Sequence, residues 1–435
     1  MNIRIDPVIA GRIRNAWEKL SPDQRKQITP MVMNAHQQAV NVSQSRVAPP
    51  PNSNVGHALP LLFSAISNDQ DKVLDSLDVN IIIAADGGGE IWGTGKYEQL
   101  DPGWLAAGAE WLEHFLVPNH PFSTEPANPI EIPDDVQIAL AGDWATGDWR
   151  NDKNPAPSTD VRIHMNFLQP HLTIHLGDVY YAGTGGEEEQ LLVKLWPHGS
   201  IGSLALNSNH EMYSGADAYF KAITTPRPPD DPSPFEMQVG CSYFALYNTH
   251  WVIVGLDSAY YSDQDGLYRD GALFPTNGEH QEQLEFLRAS AAGAIKDNKK
   301  LILLTHHNGI TQNGATPTPL WSQVMSAFPA DAGPDYWYWG HVHMGAVYQN
   351  QKNGTKDVNC RCCGHGGLPC APAPDMENQT GVLWYEKRSA KDPDFAGQPD
   401  NLQRVLNGFA MLYLDGPLIE EVFYDENGGV AWHSS

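Results

Sequence analysis

The chain has 435 residues, room for two or three domains with a large core, and 41% hydrophobic with 10% aromatic residues marks a folded protein rather than a disordered one. Lys and Arg number 27 against 52 Asp and Glu, a formal charge of −25 that argues against a nucleic-acid backbone or an anionic membrane as the main partner. No apolar run of about 18 residues occurs, and no apolar stretch follows the N-terminal charge, so neither a membrane span nor a secretory signal is expected and the cytoplasm is the default location.

Residues 1–130 read as a separate, mostly helical region. Ile9, Ile13, Trp17 and Leu20 recur on one helical face. Ser21-Pro22-Asp23-Gln24 is a capping box with Pro at the first helical position, opening a helix through about Ala39. A proline-rich loop at 46–54, a helix over about 57–77 and a short apolar run at 79–85 follow, ended by Gly87-Gly88-Gly89. Asp101-Pro102 caps a helix carrying Trp104, Gly108, Leu112 and Phe115. No chemistry is evident here; a helical cap or a homo-oligomerisation element is the expectation.

From 131 onward the pattern becomes strands that end in polar residues. Residues 136–141 run into Gly142-Asp143, and 172–176 into Gly177-Asp178-Val179-Tyr180-Tyr181. Residues 201–206 precede Asn207-Ser208-Asn209-His210-Glu211, while 243–247 and 251–256 form a hairpin about Asn248-Thr249. A helix over 283–295 leads into a strand ending Thr305-His306-His307, and 336–339 end at Gly340-His341-Val342-His343. Residues 351–400 read as a Cys-, Gly- and Pro-rich insertion. A hairpin at 409–414 and 418–424 supplies closing strands within 401–435, so 131–435 is expected to be one layered α/β domain with its ligands along one edge.

An acid at the end of a buried strand is held rigidly over the crevice where α/β proteins keep their sites. Asp178 has two oxygens that can bridge two cations, and Tyr181 can add a phenolate to one of them. Asp143, Asn209 with His210, His306 with His307, and His341 with His343 complete the set. Oxygen donors with imidazoles suit iron, manganese or zinc better than magnesium or calcium. Residues i and i+2 of an extended strand share a face, so His341 and His343 can serve neighbouring ions. Singly, such an Asp is more often a turn former and such a Tyr more often core; the weight lies in the set. His164, His171, His175, His250 and Asp257 read as structural. Cys360, Cys362, Cys363 and Cys370 admit a zinc site, but their spacing is unlike paired Cys-x₂-Cys. A loop at Gly364-His365-Gly366-Gly367 that reaches the site, or a plain surface loop, are the other readings.

These motifs in this order closely resemble the calcineurin-like metallophosphoesterase superfamily over roughly 135–350. The Gly-Asp-x-x-Tyr form at Gly177–Tyr181 resembles the purple acid phosphatase branch, where tyrosinate replaces the histidine that Trp144-Ala145 lacks after Asp143. The resemblance implies a two-sheet β-sandwich flanked by helices, holding two metal ions, Fe with Fe, Zn or Mn. It implies Asp143, Tyr181 and His343 on the first ion, Asp178 bridging, and Asn209, His306 and His341 on the second. It further implies His210 as proton donor to the leaving group, Glu211 as its orienter and His307 as a phosphate contact. The reaction implied is hydrolysis of a small phosphate monoester by a metal-bound hydroxide. A phosphodiesterase of nucleotides or lipid head groups, or a non-catalytic metal-binding scaffold, are the alternatives. Ser208 stands where the superfamily usually has Gly.

Overall fold

A computed structural model describes residues 6–45, 47–48, 59–66, 84–151, 153–224, 233–390 and 403–434. Two sheets lie face to face. In the smaller, Gly202–Ala205, Leu172–His175 and Asp135–Ala141 run parallel; Gly408–Asp415, Leu418–Asp425 and Val430–His433 continue it antiparallel. The larger sheet runs Val382–Tyr385, Gly345–Tyr348, Lys356–Cys363, Tyr336–Trp339, Lys300–Leu304, Trp251–Gly255, Phe244–Tyr247, Ile130–Glu131, with Gln351–Asn353 off its side. The expected hairpins at 243–256 and 409–424 are present, and Val430–His433 extends the second by a strand.

Period-two alternation sorts the side chains. Val136, Ile138 and Leu140 face Ile253, Ile302, Leu304 and Tyr338 between the sheets, while Ala139 and Ala141 turn outward to the helices. Strands buried on both faces read as unbroken apolar runs, as parallel strands under helices should. The helix Glu282–Lys296 places Leu284, Leu287, Ala291 and Ala294 in the layer outside the large sheet, with Val254, Leu301 and Leu303. The αββα layering expected from the motif order is therefore present.

Three expectations change. The N-terminal helices are not set apart: Ile13, Val32, Leu62, Trp104 and Trp111 share one core with Ala141, Tyr180, Met212 and Phe409 of the strand-rich part. The Ser21 capping box forms, Gln24 N donating to Ser21 Oγ at 3.2 Å and Ser21 N to Gln24 Oε1 at 2.8 Å. Its helix continues to Ser45 because Ala39 and Val42 also bury. The stretch expected as an insertion supplies an interior strand, Lys356–Cys363, parallel to Tyr336–Trp339. Its thiols are free and divided among layers: Cys360 and Cys362 on one face, Cys363 on the other, Cys370 against the helices. Among the described residues no cysteine joins a metal-holding group. Most of the loop at 46–54, the helix expected past Ile66 and the run at 79–83 lie outside the described residues.

Candidate metal centre

The parallel strands of both sheets end on one side, and there Asp143, Asp178, Asn209, His306, His341 and His343 converge. Four of them sit in left-handed backbone: Asp143 at φ 57°, Asp178 at 77°, His341 at 67° and His343 at 47°. Such conformations cost on the order of 1–3 kcal/mol each for residues with a Cβ, and cluster where function demands them. His341 and His343 therefore converge from a turn after Tyr336–Trp339, not from an extended strand as the sequence suggested. Two glycines make the approach feasible. A Cβ on Gly177 would lie 2.6 Å from His306 Nδ1, and one on Gly340 2.6 Å from Asp143 Oδ2.

Two donor groups form. In the first, His343 Nε2 lies 3.3 Å from Asp143 Oδ1, and the Tyr180 hydroxyl lies 3.3 Å from Asp143 Oδ1, 2.9 Å from Asp178 Oδ2 and 3.3 Å from His343 Nε2. In the second, His306 Nε2 is 3.3 Å from Asp178 Oδ1 and 2.8 Å from Asn209 Oδ1, which is 3.1 Å from His341 Nδ1. Asp178 faces both. His306 Nδ1 is held by the Leu176 carbonyl at 2.8 Å, which turns Nε2 to the site.

The electrostatics ask for cations. Asp143 and Asp178 are wholly buried, and among the described residues no Lys or Arg pairs with either. Burial, then the Asp178 charge, pushes the Asp143 carboxyl well above its usual range. Burial also opposes charge on Asp178, but His210, His306, the Ser208 hydroxyl and His341 outweigh it and hold that carboxyl well below its usual range. Two buried carboxylates this close repel one another, and cations between them would relieve that repulsion. Donors about 3.3 Å apart match the edge between two ligands roughly 2.0–2.2 Å from one ion, so the residues fit a pair of metal ions.

Several expected roles shift. Tyr181 does not reach the cluster: its hydroxyl donates to Asp101 Oδ2, and Tyr97 and Trp104 pack around its ring. Tyr180, not singled out from the sequence, stands in its place. His307 is close to His306 and His341, the ligand atoms of the three within 4.8 Å of one another. Both its nitrogens are engaged, however, Nδ1 with Ser258 Oγ at 2.9 Å and Nε2 with the Tyr268 carbonyl at 2.7 Å, so it supports the site rather than contacting phosphate. His210 Nδ1 lies 2.7 Å from the Tyr181 carbonyl, and its Nε2 lies 3.7 Å from Asp178 Oδ2.

Glu211 meets Ser208 rather than orienting His210. Burial, then Glu188 and Asp178, pushes the Glu211 carboxyl well above its usual range, and the Ser208 hydroxyl lies between Glu211 Oε2 and Asp178 Oδ1, within hydrogen-bond reach of both. Ser208 is extended at φ −139°, a conformation that does not require glycine. The loop expected to reach the site does so: Gly366 N donates to the Gly142 carbonyl at 3.0 Å and Leu368 N to the Asp143 carbonyl at 3.2 Å. The N-terminal region also contributes. Glu90 Oε1 lies 3.1 Å from His343 Nδ1, and Glu90 Oε2 accepts from Gln99 Nε2 at 2.6 Å.

Residues 136–345 match the calcineurin-like phosphoesterase family. This part of the chain belongs to the metallophosphoesterase superfamily. Its members are metal-dependent phosphoester hydrolases. No curated protein matches the sequence. Among solved structures, a purple acid phosphatase from yellow lupin seeds is similar at 15% identity and TM-score 0.48, over 72% of this chain and 54% of that one. The chain thus spans about half the length of that phosphatase. GAP50, the anchor in the inner membrane complex of Plasmodium, is similar at 13% identity and TM-score 0.48, over 69% and 88%. A dimetal phosphatase from Danio rerio is similar at 12% identity and TM-score 0.40, over 68% and 96%. Among the described residues, no helix is long and apolar enough to cross a membrane.

Proposed function

We propose that the chain is a binuclear metallophosphoesterase that hydrolyses small phosphate monoesters. The observation that carries this reading is the facing pair Asp143 and Asp178, wholly buried, without a basic partner among the described residues, and flanked by imidazoles. Asp143, Tyr180, His343 and one oxygen of Asp178 would hold one ion; the other oxygen of Asp178, Asn209, His306 and His341 would hold the second. The donor set suits iron, zinc or manganese. Bound there, the ions would neutralise phosphoryl oxygens and make hydroxide available near neutral pH.

The protein's own part is positioning and proton transfer. With Nδ1 donating to the Tyr181 carbonyl, Nε2 of His210 is the nitrogen that gives a proton to the departing alkoxide. Burial lowers the His210 pKa, and the Asp178 charge and the Tyr181 carbonyl oppose that only in part. The Glu211–Ser208–Asp178 chain fixes the carboxylate shared by both ions.

The test is hydrolysis of p-nitrophenyl phosphate against bis(p-nitrophenyl) phosphate by protein reconstituted with Fe, Zn or Mn. Faster turnover of the monoester supports the proposal. Preference for the diester would make it a phosphodiesterase, and inertness on both with metals bound would make it a scaffold.

A further inference from the structure

Among the described residues, one cation beside the site lacks a partner. Arg269 is half-buried, its Nη2 is sealed from solvent without a hydrogen bond, and among the described residues its guanidinium makes no ion pair. A sealed, unsatisfied charged donor is costly unless something arrives to accept from it. The backbone around it is fixed against the site from both sides. The Tyr268 carbonyl meets His307 Nε2 at 2.7 Å, and a Cβ on Gly271 would lie 2.8 Å from His307 Cγ. The His307 ring centroid is in turn 4.6 Å from that of His341 and 4.9 Å from that of His306.

Leu267 at φ 61° and Tyr268 at 54° are held in left-handed backbone just before Arg269, and Trp111 Nε1 ties the loop to the N-terminal helices through the Gln264 carbonyl at 3.1 Å. Burial lowers the Arg269 pKa, and its neighbours Tyr213, Asp270 and Glu90 oppose that shift. Tyr213 shares a hydrogen bond with Asn209 at 3.2 Å, and Glu90 faces His343 at 3.1 Å, so Arg269 neighbours a partner of each ligand set. Asp143, Asp178 and Glu90 gather three carboxylates around His343 on a chain of formal charge −25. An incoming phosphate dianion therefore needs a fixed cation there as well as the ions.

We propose that Arg269 is an anion clamp that donates its paired N–H groups to non-bridging oxygens of the phosphoryl group, favouring a terminal phosphate dianion over a diester. The assignment rests on the phosphoesterase reading of the same site.

The test is calorimetric binding of inorganic phosphate to the metal-reconstituted full chain, beside p-nitrophenyl phosphate kinetics, for wild type, Arg269→Gln and Arg269→Lys. In Arg269→Gln the phosphate Kd and the KM should each rise roughly ten- to a hundredfold, with kcat within a few-fold, metal content unchanged and the Tm no lower than that of wild type. Arg269→Lys should restore part of the loss. A Kd for Arg269→Gln within twofold of wild type overturns the clamp, and so does a wild type that binds no phosphate. The two proposals fail separately. A wild type that turns over nothing, yet binds phosphate through Arg269, keeps the clamp and removes catalysis; full turnover with an indifferent Arg269 does the reverse.

Discussion

Glu90→Gln should weaken binding of the ion next to Asp143 by about tenfold. In the native arrangement His343 Nδ1 lies 3.1 Å from Glu90 Oε1 while Gln99 Nε2 donates to Oε2 at 2.6 Å, so one carboxylate accepts two donors. Glutamine has a single carbonyl for both and turns an NH₂ toward one of them. The Glu90 carboxylate fixes the His343 tautomer and ring orientation, and losing such a partner typically costs 10–100-fold in metal affinity, about 1.4–2.7 kcal/mol. The Glu90 side chain is 33% exposed, and the screening that follows places the effect near the lower bound. The assay is competition for Zn²⁺ or Mn²⁺ against a chromophoric chelator, with unfolding of the metal-free protein as control. One of the two affinities should fall and the other should hold. Both unchanged within twofold, or both falling equally, would refute the reasoning.

Further outcomes follow from the same geometry. His210→Ala should lower kcat by about 10²–10⁴-fold with both ions still bound, read by steady-state kinetics beside metal analysis. In iron-loaded protein, Tyr180→Phe should abolish any ferric phenolate absorption band, while Tyr181→Phe keeps the band and lowers the Tm; the opposite pattern would return the ligand role to Tyr181. Between the sheets, Arg361 Nε and Nη2 donate to Glu421 at 2.7 and 2.8 Å, and Tyr338 donates to the same carboxylate at 2.7 Å. Arg361→Met alone should cost about 3–5 kcal/mol in denaturant unfolding, and Arg361→Met with Glu421→Leu considerably less, because only the single change leaves a buried charge unpaired.

The strand ends are readable because each candidate ligand is written locally, as an apolar run followed by Gly-Asp, Asn-His or Gly-His. Side-chain direction at the next residue is not. Tyr180 and Tyr181 are adjacent and chemically identical, and the choice between them is made by Asp101, Tyr97 and Trp104, far away in sequence. Glu90 escaped for the same reason, lying 253 residues from the histidine it faces. His307 looked like a substrate contact because a second histidine after a strand carries no sign that Ser258 and the Tyr268 carbonyl occupy it. The cysteines clustered in sequence only; an eight-residue strand with period two sends neighbours to opposite faces. The N-terminal helices read as independent because their apolar stripes show that something is covered, not what covers it.

The central claim is most directly tested by counting ions and activity together. Protein stripped with a chelator and reloaded should bind two ions per chain and regain phosphomonoesterase activity in step with the second, and Asp178→Asn should lose both. A folded protein that saturates at one ion or none, or that hydrolyses the ester equally well when stripped, would contradict it.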